Sequence, residues 1–267
     1  MSEDLLSNLI TYNPTVVQQD VTLREVFELF DRHQIRHLPV VDDSRRVVGM
    51  LSMSDVHWAL DGVKSADLRG VAGESTLLVR DVMDQAVTTV ASDAEPNEPL
   101  QLVLERGMIA VPVVSNDELV GMITATDFLR EYSYCDHASF RDPVSKHMIR
   151  EIAQIDVETS PHEALRIMTE QKWEHAAVAI GDCPVGILSR RDFCGGEGHG
   201  GTLAGLYLPD VPSVLEGESL GEVIWHMIEH GSPALAVVDR GNRLTGILTQ
   251  ETVLRAIEAE LASEATV

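Results

Sequence analysis

A serine or threonine followed three residues later by an aspartate occurs three times, each time shortly after a glycine. The segments are Gly49-Met-Leu-Ser-Met-Ser-Asp55, Gly121-Met-Ile-Thr-Ala-Thr-Asp127 and Gly186-Ile-Leu-Ser-Arg-Arg-Asp192. A fourth segment, Gly246-Ile-Leu-Thr-Gln-Glu-Thr252, keeps the glycine and the hydroxyl but ends in threonine. An aspartate just after a strand can accept two hydrogen bonds from a vicinal diol, which a ribose has and a deoxyribose lacks. The hydroxyl three residues earlier suits a phosphate oxygen. Glycine lets another backbone come close, and a helix starting at the motif turns free N–H groups toward an anion. Taken singly, Ser-x-x-Asp at a helix start is ordinarily an N-cap and nothing more. Recurrence carries the reading.

The surroundings of the motif repeat with it. The glycines are 72, 65 and 60 residues apart, too uneven for a stacked solenoid and suited to four domain-sized copies with variable linkers. An apolar strand precedes each glycine: Leu38-Pro-Val-Val41, Val111-Pro-Val-Val114, Ala176-Ala-Val-Ala-Ile180 and Ala234-Leu-Ala-Val-Val238. A polar turn follows, such as Asp42-Asp-Ser-Arg-Arg46, and leads into the glycine strand, so each copy reads as a hairpin. Before the first hairpin, Leu23, Val26, Phe27 and Phe30 share one helical face. Capping boxes Thr22–Glu25, Ser160–Glu163 and Ser219–Glu222 open the helices of copies one, three and four. In the second copy Glu95-Pro-Asn-Glu-Pro99 leaves the helix start open. A second helix follows each motif, clearest over residues 127–134 and 252–261. The third copy runs instead into Cys194-Gly-Gly-Glu-Gly-His-Gly-Gly201, which glycine should keep short of helix. This stretch lacks the Lys-Ser/Thr of a P-loop and reads as a linker. Cys194 and His199 alone fall short of the four ligands of a structural zinc site.

Composition narrows the classes. With 267 residues, 44% hydrophobic and 24% charged, the chain is an ordinary globular protein with a sizeable core. Its formal charge is −23, and Lys64, Lys146 and Lys172 are the lysines. Such a chain should repel duplex DNA and anionic membranes, and 4% aromatics offers little for base stacking. No apolar run approaches a membrane span, and no secretory signal is visible. Three cysteines without a CxxC suit a reducing cytoplasm. An enzyme is not expected. HExxH and a P-loop are missing; His162-Glu-Ala-Leu-Arg166 has no second histidine.

Strand, helix, strand, strand, helix, with G-h-h-[S/T]-x-x-D closing the last strand, resembles the CBS (cystathionine β-synthase) domain. His33-Gln-Ile-Arg-His-Leu-Pro-Val-Val-Asp42 is particularly similar to the gamma subunit of AMP-activated protein kinase. The resemblance spans about residues 10–261, with copies at 10–62, 77–135, 140–194 and 202–261. It implies an α/β (α+β) fold of four CBS repeats, paired into two Bateman modules at about 10–135 and 136–261 that pack into a disc. It further implies adenosine nucleotides in the clefts between repeats. Asp55, Asp127 and Asp192 would hold ribose; Ser52, Thr124 and Ser189 would approach phosphate; Val40, Val113 and Val178 would line adenine.

In so acidic a chain, cations near these motifs carry information. Arg190 and Arg191 lie beside Ser189, Arg36 and His37 precede the second strand of the first copy, and His175 takes that place in the third. Arginine pairs well with phosphate, while salt bridges to surface carboxylates are the plain alternative. The expected function is a cytoplasmic, free-standing regulatory protein that binds AMP, ADP or ATP, requires no cofactor or metal, and signals to an unidentified protein partner, with a homodimer open. The alternatives are an interaction scaffold with vestigial clefts, or a sensor of S-adenosylmethionine, NAD or a dinucleotide.

Overall fold

The computed structural model describes residues 4–33, 35–53, 55–56, 59, 77–106, 108, 110–134, 138–151, 154–171, 173, 175–189, 203, 213–230 and 232–264. The Asp61–Thr76 linker, the Gly-rich stretch after Phe193, and Arg190, Arg191 and Asp192 lie outside them.

Four times the chain builds one three-stranded unit from a short lead strand, a helix and a hairpin. In the first repeat β2 (Val17–Gln18) pairs parallel with β3 (His37–Val41), and β3 pairs antiparallel with β4 (Val47–Ser52), the crossover being α2 (Leu23–His33). The second repeat has β5 (Val90–Ala91), α3 (Asn97–Arg106), β6 (Ala110–Ser115) and β7 (Glu118–Thr124). The third has β8 (Gln154–Asp156), α5 (Pro161–Glu170), β9 (His175–Ile180) and β10 (Cys183–Ser189). The fourth has β11 (Ser213–Leu215), α6 (Leu220–His230), β12 (Ala234–Val238) and β13 (Leu244–Thr249). The first repeat opens, ahead of β2, with α1 (Asp4–Leu9) and β1 (Thr11–Tyr12). Helices α4 (Ala125–Ser133) and α7 (Gln250–Glu264) follow β7 and β13 directly.

The local chemistry accounts for these starts and turns. Glu25 Oε2 accepts from the Thr22 backbone N–H at 3.1 Å and hydroxyl at 2.7 Å, a complete capping box, and Glu222 repeats it with Ser219. At α5 only half of the expected box forms. The Glu163 N–H reaches Ser160 Oγ at 3.3 Å, but the Glu163 carboxylate turns to Arg166, whose guanidinium makes a charge-assisted pair. Helix α3 starts at Asn97, with Pro99 in its first turn, where a missing N–H costs nothing. The hairpin turns of the first and fourth repeats are alike. Asp42 accepts from the Ser44 and Arg46 N–H groups and the Arg46 side chain, and Asp239 does so from Gly241 and Arg243.

The described residues form two compact units, one up to Thr124 and one from Ala125 onward. In each, one repeat's lead segment crosses onto the neighbouring repeat. In the first unit Met50 and Asp84 exchange backbone hydrogen bonds of 2.9 Å, and β1 of the first repeat adds to β7 of the second. In the second unit Ile149 bridges Ile247 in the same way. The motif glycines Gly49, Gly121 and Gly246 sit under these crossings. A β-carbon on Gly49 would stand 2.5 Å from Met83 Sδ, and one on Gly246 2.5 Å from Met148 Sδ. Val79, from the second repeat's lead, completes the first repeat's core of Leu23, Val26, Phe30, Leu38, Val40 and Leu51. Small side chains, Ala177, Ala234 and Ala236 with Ile187 and Ile247, form the seam between the third and fourth sheets. Helix α4 packs on α6 and α7 within the second unit.

Candidate functional site

The β3–β4 hairpin fixes the register of the first motif. His37 lies directly opposite Ser52, and Ser52 ends the strand. The chain turns helical at Met53, so Asp55 falls in the first helical turn. Its Oδ2 accepts from the Ser52 hydroxyl at 2.6 Å and the Ser52 N–H at 2.8 Å, while the Asp55 N–H donates to Ser52 Oγ at 3.2 Å. This reciprocal cap, worth about 1 kcal/mol, holds the carboxylate still. It uses one oxygen; Oδ1 makes no hydrogen bond among the described residues. A rigid carboxylate with an uncommitted oxygen is a ready acceptor for hydroxyl groups.

That carboxylate opens into a cavity of about 410 Å³. His37, Ser52 and Asp55 of the first repeat line one side, and Asp84, Thr88 and Arg106 of the second line the other. Met50, Met108 and Ala110 contribute apolar surface. Thr88 stands just before β5 and Arg106 ends α3, where its Nη1 donates to Thr88 Oγ1 at 3.4 Å. Asp84 Oδ1 accepts from the Ala86 N–H at 2.8 Å. The cavity thus combines an oriented carboxylate, hydroxyls, one guanidinium and apolar walls, the mixed lining of a small-molecule site.

Of the residues the sequence singles out, His37, Ser52 and Asp55 line this cavity; Asp84, Thr88 and Arg106 line it too and carry no motif of their own. These three come from the next repeat and arrive through the Met50–Asp84 crossing. The available signal was Gly49, whose close neighbour is that crossing segment. Arg36 is exposed and does not line the cavity; its carbonyl accepts from the Met53 N–H at 2.9 Å. Val40, Val113 and Val178 are fully buried, and Val40 and Val178 belong to the cores of their own repeats, so Val40 offers this cavity no surface. Val40 shares its core with Val26 and Phe30 of α2, and Val178 shares its core with Ala164 and Met168 of α5.

The other motifs differ among themselves. Asp127, in the first turn of α4, pairs with Arg130 at 3.0 Å, and Thr124 ends β7. His175 faces Ser189 across β9–β10 in the register that His37 and Ser52 share, whereas alanines 110 and 234 face Thr124 and Thr249. In the fourth repeat Thr252 reproduces the cap without the carboxylate. Its Oγ1 accepts from the Thr249 N–H at 3.0 Å and donates to the Thr249 carbonyl at 2.9 Å. Among the described residues no cluster of three metal-ligating side chains occurs, and no helix is long and apolar enough to cross a membrane.

Four segments, residues 6–62, 79–134, 144–195 and 204–259, match the CBS domain. The chain is 23% identical to protein MJ1225 of Methanocaldococcus jannaschii over 92% of this chain and 94% of that one. The crystal structure of MJ1225, described as a candidate archaeal homologue of γ-AMPK, superposes with a TM-score of 0.75 and covers 94% of this chain and 99% of that one at 20% identity. A conserved protein from Pyrococcus horikoshii gives a TM-score of 0.60 at 18% identity over 94% and 98% of the two chains. A partial likeness, 28% identity over 68% of this chain, links it to 31% of the inosine-5'-monophosphate dehydrogenase of M. jannaschii.

Proposed function

The chain belongs to the CBS domain family, and on that premise we propose that it is a regulatory protein that binds an adenosine nucleotide in the cavity between its first two repeats and passes occupancy on to a protein partner. The observation that carries this reading is the meeting of Asp55 and Ser52 with Thr88 and Arg106 around one cavity. Asp55 Oδ1 accepts from the ribose diol, the two hydroxyl side chains and the guanidinium face the phosphate, and the methionines and Ala110 contact the base. Because the walls come from two repeats, a ligand there tightens the crossing of the second repeat's lead over Gly49, which couples binding to repeat packing. The likeness to MJ1225, described as a candidate homologue of γ-AMPK, supports an energy-related nucleotide as the ligand.

The fourth repeat supports a second reading for its own motif. With Thr252 spent on capping, that copy serves architecture rather than ligand. A thermal-shift screen of AMP, ADP, ATP, S-adenosylmethionine and NAD tests the whole proposal. A ligand at 100 times its Kd stabilises the native state by about 2.7 kcal/mol. An adenosine nucleotide should raise the melting temperature; a protein that only scaffolds partners shows no shift with any of the five.

A further inference from the structure

We propose that Arg106 reads the phosphate in the Asp55 cavity and makes that cavity selective for a ribonucleoside monophosphate over both the free nucleoside and the triphosphate. This rests on the adenosine-nucleotide reading of the same cavity. Among the described lining residues three carry a fixed charge, the carboxylates of Asp55 and Asp84 and the guanidinium of Arg106, and His37 adds an imidazole. Asp55 belongs to the ribose end, where Ser52 caps it. Arg106 enters from the other repeat, at the end of α3, and is the one lysine or arginine among the described lining residues.

Its geometry suits an anion. The bond to Thr88 Oγ1 is long, 3.4 Å, and occupies one of five N–H donors. The remaining fork can take two phosphate oxygens in parallel, as guanidinium groups do. The Thr88 hydroxyl beside it supplies another donor once the phosphate replaces it as the partner of Arg106.

Charge limits how much anion the cavity accepts. A monoester phosphate carries about −1.5 to −2 near neutral pH, which one guanidinium largely offsets. Among the described lining residues, the second and third phosphates of a triphosphate would meet no further lysine or arginine. They would meet Asp84, whose carboxylate is pinned at the wall by the Ala86 N–H at 2.8 Å. The surrounding chain has a formal charge of −23 and deepens that penalty.

The test is calorimetric titration of adenosine, AMP and ATP without divalent cations. The host carries Asp127→Ala and Asp192→Ala, so that the Asp55 cavity dominates binding, and circular dichroism establishes that each variant is folded. In this host AMP should bind about tenfold to a hundredfold more tightly than adenosine, the range expected for charge-assisted bonds to one phosphate, and ATP more weakly than AMP. Arg106→Met should erase the gap between AMP and adenosine, and Arg106→Lys should restore part of it. A gap that survives in Arg106→Met, or ATP binding more tightly than AMP, overturns the role of Arg106. Equal binding of AMP and adenosine that Asp55→Ala abolishes also overturns it, while leaving the nucleotide reading intact. Folded protein that binds none of the three overturns both.

Discussion

A β-carbon on Gly121 would overlap Cγ2 of Ile10 and stand 3.1 Å from the Thr11 carbonyl oxygen. The motif glycine of the second repeat is therefore the floor on which the first repeat's lead segment lies, just as Gly49 lies beneath Met83. Gly121→Ala should destabilise the protein by about 1–3 kcal/mol, the usual range for overpacking. Ile10 is β-branched and 6% exposed, so it has little freedom to give way. Gly49→Ala should cost less, because the obstacle there is first the thioether of Met83, which can change rotamer. Urea unfolding of the two variants checks the ranking. A Gly121→Ala protein as stable as wild type would remove the packing role of the motif glycine.

Thr252→Asp should create a binding site. The aspartate can keep the cap through one oxygen, as Asp55 does, and present the other to a ribose. In wild type the single hydroxyl of Thr252 already accepts from the Thr249 N–H and donates to its carbonyl. The variant should gain one nucleotide equivalent in titration. A wild-type complex with ribose held at Thr252 would contradict the assignment.

Some of this architecture was legible in the sequence because it is local. The boxes at Thr22–Glu25 and Ser219–Glu222 form as their spacing predicts. The box at Ser160–Glu163 half fails because Arg166, one turn on, is a stronger partner for the carboxylate than a backbone N–H. Ser52, Asp55 and His37 were legible because hairpin register places them together. Thr88 and Arg106 were not, because the contact that brings them in, Met50 with Asp84, joins residues far apart in the chain. The family resemblance implies an adenine contact at Val40, yet its side chain is fully buried in the core with Val26 and Phe30. Motif similarity locates a strand without saying which of its faces is open.

The hairpin turns should make stability depend on acid pH. Arg243 holds the Asp239 carboxyl below its ordinary value of 3.8, by its side-chain hydrogen bond first and its backbone N–H second. The Arg46 backbone N–H, then its side chain, does the same for Asp42. A depressed pKa in the folded state means stabilisation that is fully present above the ordinary value and lost as pH falls through the folded one. Asp239→Asn should therefore be less stable than wild type at neutral pH, with the difference closing as pH falls below 3.8. Denaturant titrations across that range check it; a difference that stays constant to the lowest pH would contradict the pairing.

Salt should stabilise the fold. A formal charge of −23 repels itself, and raising ionic strength from about 0.01 M to 1 M shortens the screening length from about 30 Å to 3 Å. The ion pairs that salt would weaken are local and exposed, such as Arg46–Asp42 and Arg255–Glu251, and exposed pairs contribute little to stability. Relief of repulsion wins, so the melting temperature should climb with KCl. A steady fall would show that attractive pairs dominate instead.

Binding of AMP to folded wild-type protein and to Asp55→Ala, followed by calorimetry side by side, tests the central claim most directly. Asp55 is the residue on which the cap, the cavity and the ribose contact converge. Wild type should bind AMP saturably, and the variant should lose the equivalent that belongs to the cavity shared by the first two repeats. Identical titrations of the two folded proteins, or no heat from either, would contradict a nucleotide site built on Asp55.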